Sequence, residues 1–90
     1  MGLEYRLDLG QVDGAQADRI LRSVDGFEKF KPEFGTYAYR KNATGDMPDL
    51  EARVEATGIY LCDNGCGADT VEAIRRAFAR AGFAGIPHRL

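Results

Sequence analysis

Leu50-Glu51-Ala52-Arg53-Val54-Glu55-Ala56-Thr57-Gly58-Ile59-Tyr60-Leu61-Cys62 decides the fold, because its alternation of apolar and polar residues reverses phase at Thr57-Gly58. Leu50, Ala52, Val54 and Ala56 hold even positions with Glu51, Arg53, Glu55 and Thr57 between them, and Ile59 and Leu61 then move the apolar residues to odd ones. A two-residue turn at Thr57-Gly58 explains both halves. It sets Ala56 opposite Ile59 and Val54 opposite Leu61, so that both strands of the hairpin offer one apolar side to a common core.

The flanking sequence supplies the remaining elements. Leu3 to Leu9 alternates strictly, with Leu3, Tyr5, Leu7 and Leu9 on one side, which predicts a half-buried strand. Asp13, with Gln16 three residues on, has the spacing of a capping box, and Ala17, Ile20, Leu21 and Val24 form one face of a helix over Gly14 to Asp25. Phe27 to Gly35 has no clean period and Pro32 forbids a regular helix through it, so it reads as a loop pinned by aromatic anchors. Thr36 to Lys41 is rich in β-formers, and Asn42 to Asp49 has the composition of a flexible connection. Beyond the hairpin, Asp69-Thr70-Val71-Glu72 predicts a capping box for a helix over Thr70 to Ala81, with Gly82 at its C′ position. Ile86 to Leu90 can form a short last strand, which Pro87 confines to an edge.

The order β-α-β-β-β-α-(β), with no repeat and no dividing linker, predicts a single α+β domain over residues 1–90. Runs of strands with two amphipathic helices imply a two-layer sandwich, an antiparallel sheet with both helices on one face. By element order alone the nearest named topology is ferredoxin-like.

Composition excludes more than it assigns. Ninety residues close one core and leave no room for a large buried cofactor cavity, and none is expected. A hydrophobic fraction of 44%, a charged fraction of 29% and a net charge of −2 give no general electrostatic reason to bind nucleic acid. Phe34-Gly35-Thr36-Tyr37-Ala38-Tyr39 lacks the Arg or Lys that precedes the glycine in the stacking strand of RNA-recognition motifs, and Glu51 and Glu55 beside it repel phosphate. No apolar run reaches membrane-spanning length, and Met1 to Arg6 offers no signal-peptide core, so a cytoplasmic protein is expected.

Catalytic chemistry has few footholds. Asp49, Glu51 and Glu55 fall on an expected outer face or loop where water solvates them, and nothing assembles them into an acid/base pair. Cys62 and Cys66, three residues apart, together with the single histidine, His88, are the candidate thiol-redox or metal-binding set. Their spacing matches neither paired zinc ligands nor Cys-X-X-Cys. What remains is surface. Glu4, Arg6, Asp8, Glu51, Arg53, Glu55, Tyr60 and Cys62 are expected on the face away from the helices, a setting for a polar protein contact centred on Tyr60 and rimmed by Arg and Glu, Arg53 among them. Phe27, Phe30 and Phe34 either close the core or form a patch, and Tyr37 and Tyr39 are either core residues or an edge-strand contact. The expectation is a non-enzymatic module that binds another protein or a second copy of itself, and neither nucleic acid nor membrane.

Overall fold

The computed structural model describes residues 2–90, in the order β1 (Leu3–Asp8), α1 (Gly14–Ser23), β2 (Phe27–Lys31), β3 (Thr36–Tyr39), β4 (Leu50–Glu55), β5 (Gly58–Asp63), α2 (Ala68–Arg80) and β6 (Pro87–Arg89). The strands form one antiparallel sheet in the order β2-β3-β4-β5-β1-β6. The α+β class is as expected, but the strand order is not ferredoxin-like. Four strands rather than two run as a meander between the helices: Phe27 to Lys31, expected as loop, pairs with β3 at the edge and brings the sheet to six strands. A β-bulge between Phe27 and Lys29 hides it from a period-two reading, since it lets Phe27 and Phe30, three residues apart, lie opposite Tyr39 and Tyr37 on one face. Pro32 falls in the following turn, where it interrupts nothing.

The β4–β5 hairpin has the expected sidedness with a shifted register. Val54 faces Ile59 and Ala52 faces Leu61, so Ala56 and Thr57 are the turn and Ala56 is exposed in it. The slip amounts to two residues, and an even slip leaves every side chain on its own face. Neither turn residue has a positive φ, so Gly58 is needed for another reason. A Cβ there would stand 2.0 Å from the Leu7 carbonyl oxygen, because β1 presses its backbone against the start of β5.

Both helices cover the same side of the sheet. Ala17 and Leu21 of α1 and Val71, Ile74, Ala77 and Phe78 of α2 share one cluster with Leu7, Tyr37, Tyr39, Leu50, Ala52, Ile59 and Leu61. Asp13 caps α1 through the Gln16 amide at 3.1 Å, as its spacing implies. The cap expected at Asp69 does not form. α2 starts before Thr70, at Ala68, and the Asp63 carboxylate instead accepts from the amides of Gly65 (2.8 Å) and Gly67 (2.9 Å) just ahead of it. At the far end Gly82, with φ of 98°, completes a Schellman motif in which the Phe83 amide donates to Phe78 and the Gly82 amide to Ala79.

Substituting the two unlike glycines separates these effects in chemical denaturation. Gly58→Ala loses about 2–3 kcal/mol, because β1 must shift to admit the methyl group. Gly14→Ala, at the start of α1 with nothing within 4 Å of the added carbon, gains about 0.5–1 kcal/mol. Equal effects at the two sites would contradict the close approach of β1.

Candidate functional site

Helices occupy one face of the sheet, so the other is the place to look for function. Strand register arranges its side chains in rows running across the strands. One row reads Lys31, Thr36, Arg53, Tyr60, Arg6 and His88 from β2 through to β6. On one side of it Lys29, Ala38, Glu51, Cys62 and Glu4 form a second row, acidic from β4 to β1, and on the other side Glu55, Gly58 and Asp8 form a third. A basic stripe therefore runs between two acidic ones.

Cross-row contacts tie the face together. Lys31 reaches Glu51 at 3.5 Å over the intervening β3, Arg6 meets Glu55 at 3.3 Å, and His88 lies 3.7 Å from Asp8. The Arg53 guanidinium sits 4.7 Å from the centre of the Tyr60 ring, a cation–π contact, and Tyr60 donates its hydroxyl proton to Glu4. That hydrogen bond, with burial and nearby negative groups behind it, drives the Tyr60 phenol well above its ordinary pKa. Burial likewise raises the Cys62 thiol, and Glu51, Glu4 and Asp63 add to the effect, together outweighing the lowering influence of the nearby Tyr60 hydroxyl. A neutral thiol is a poor nucleophile and a poor metal ligand.

Between Phe34 and Tyr60 the face opens into a shallow cleft of about 280 Å³, floored by Thr36 and flanked by Glu51, Arg53 and Cys62. Phe34, at the β2–β3 turn, is 69% exposed. Of the seven contact candidates, the structure brings Phe34, Arg53 and Tyr60 together here. The other four are on the helix side. Tyr39 is wholly buried and donates to the Leu21 carbonyl at 2.6 Å, and Tyr37 donates to Asp18 at 2.6 Å, with burial first and Asp18 second pushing its pKa up to about 12. Phe27 and Phe30 are half-buried beside them, with the Arg22 guanidinium 5.6 and 5.4 Å from their ring centres. The aromatic segment divides accordingly: Phe27 and Phe30 close the core, and Phe34 does not.

Cys66 is exposed in the loop before α2, Cys62 lies on the β5 row against Asn64 at 3.5 Å, and His88 is on the edge strand β6. Among the described residues no group of three or more His, Cys, Asp or Glu side chains is placed to hold a metal ion. No helix among them is long and apolar enough to cross a membrane. No family model, no curated protein and no solved structure matches the chain.

One end of the face is braced by a cluster that sequence reasoning missed. Asp49, expected to be solvated, is 1% exposed. Its carboxylate accepts from the backbone amides of Lys41 (2.9 Å), Asn42 (2.9 Å) and Ala43 (2.6 Å). Arg40 does the converse, donating to the carbonyls of Ala43, Gly45 and Asp46. The segment read as a flexible connection is thus wound around two charges, the buried Asp49 and the partly exposed Arg40. The only cue was one acid and one base bracketing a run of small polar residues, a weak pattern in one dimension.

Burial raises the Asp49 carboxyl, but the three amides and Arg40 prevail and its pKa is lowered. A lowered carboxylate stabilises the fold fully above its unfolded value, about 3.9, and that stability is lost as pH falls through the folded value. Asp49→Asn, which keeps the shape but turns a donor toward the amides, destabilises by about 2–3 kcal/mol at pH 7. Denaturation at stepped pH checks the sign: the gap between the two proteins narrows on acidification below about pH 4. A gap independent of pH would show that Asp49 is not held as a carboxylate.

Proposed function

We propose that this chain is a small, non-enzymatic protein-interaction module that works in the cytoplasm and uses the open face of its sheet as contact surface. The observation that carries this reading is Phe34, a large apolar side chain held 69% exposed at the rim of the cleft that Arg53 and Tyr60 flank. An exposed aromatic beside an aromatic–arginine pair is the composition of contact hot spots. A cytoplasmic setting keeps both free cysteines reduced.

Geometry favours the face over the edges. β2 is bulged and carries Lys29 and Lys31, and β6 is three residues long and begins at Pro87. Both are features that discourage strand addition. The helix side is occupied by the core, so the uncovered face supports contact best.

Photocrosslinking in the native host tests this directly. p-Benzoylphenylalanine installed at position 34 yields discrete protein adducts, whereas the same group at position 76, on the exposed side of α2, does not. Adducts from position 76 alone, or from neither site, would overturn the reading.

A further inference from the structure

We infer that the occupant of the open face is a second copy of this chain, docked face to face about a two-fold axis; this rests on the contact-surface reading above and names its partner. The evidence is the order of charge. The basic row, with Arg53 and Arg6, lies between the Glu51–Glu4 row and the Glu55–Asp8 row. If a copy is laid on the face with rows in register, basic meets basic. Displaced by one row, about 7 Å along the strands, each basic row meets an acidic one, and a two-fold axis running across the strands satisfies both copies at once.

Two such displacements exist, and apolar surface chooses between them. Moving toward the Glu51–Glu4 row leaves Phe34 outside the overlap. Moving toward the Glu55–Asp8 row sets Arg53 against Glu55 of the other copy and Arg6 against its Asp8. Phe34 then lies over the Thr36 cleft of the other copy, and the bulky Tyr60 lies over Gly58, which has no side chain. Ile86, 73% exposed, immediately precedes β6 at the parity of His88, so continuing the strand path by one residue brings it under the same overlap. The second displacement therefore covers the two most exposed large apolar side chains among the described residues.

Size sets the strength. Six strands about 4.8 Å apart span about 29 Å, and of their length of about 17 Å the one-row displacement leaves about 10 Å in overlap, a projected area of roughly 300 Å² per copy and about 600 Å² for the pair. That is the size of a weak, reversible association rather than an obligate dimer.

Sedimentation equilibrium with exchanged charges tests the pairing. The native chain forms a reversible dimer whose affinity falls several-fold from about 50 to about 500 mM NaCl. Arg53→Glu alone and Glu55→Arg alone are monomeric, since each sets like charges together twice. Their equimolar mixture dimerises again: the introduced acid at position 53 of one copy meets the introduced base at position 55 of the other, and the second contact is the native Arg53–Glu55 pair. Arg6→Glu mixed with Asp8→Arg repeats the test at a second pair, and unchanged melting midpoints show that the variants are folded. A native chain that stays monomeric to about 1 mM overturns the proposal; so does a dimer indifferent to these variants, or rescue of Arg53→Glu by Glu51→Arg in place of Glu55→Arg. A monomer that still crosslinks another protein through position 34 leaves the contact-surface reading standing, while a monomer without crosslinks removes both.

Discussion

The rest of the structure depends on the ladder through β4, β5 and β1, where the backbones lie so close that Gly58 can carry no side chain. With Leu7 facing Ile59 and Ile59 facing Val54, parity is locked across three central strands. Each must send one set of side chains to the helices and the other to solvent. The helix side receives Leu7, Ile59, Leu61 and Ala52, and these form the floor on which α1 and α2 rest. The opposite set, Arg6, Tyr60, Arg53 and their acidic neighbours, has no layer above it among the described residues. The candidate surface is thus a consequence of the same backbone constraint that builds the core.

Two tyrosines and two aspartates transmit that constraint outward. Tyr39 and Tyr37 bury their rings and return their hydroxyls to α1, at Leu21 and Asp18, which fixes the helix over the β2–β3 end of the sheet. Asp63 holds the turn that launches α2, and Asp49 gathers the amides of the 41–43 segment. The Asp49 carbonyl also accepts from the Asn64 amide at 2.9 Å, so the two loops meet at one end of the sheet. Buried carboxylates of this kind are tolerated because backbone amides replace the lost water.

Legibility followed the range of the interaction. Alternation around Val54 and Ile59 and the helical faces at Leu21 and Ile74 are local signals, and they marked the strands, the helices and the sided core. The turn stands one residue earlier than expected, at Ala56-Thr57, because Gly58 looked like a turn residue, whereas its need for glycine comes from β1, which is distant in the chain. β2 was lost to a bulge, which trades a period of two for a spacing of three between Phe27 and Phe30. The Asp49 and Asp63 roles were invisible because their partners are backbone amides, which every residue but proline possesses. On the open face, membership was legible from parity, while the ordering into stripes required strand order.

Apolar and charged groups on that face divide the labour of association differently. In the free chain the Arg6, Arg53 and Lys31 cations already lie near carboxylates, half-exposed to water, so meeting a second copy exchanges one set of partners for another at little net gain. Net attraction must come from Phe34 and Ile86, each supplied by both copies, at about 1.5–3 kcal/mol per side chain when fully covered. Set against an association cost of about 4–15 kcal/mol, that leaves affinity marginal. The stripes act mainly by exclusion: in-register stacking sets guanidinium on guanidinium, and the offset removes that repulsion. Contact of this type is specific without being tight, because charge selects the register and two exposed hydrophobic side chains set the strength.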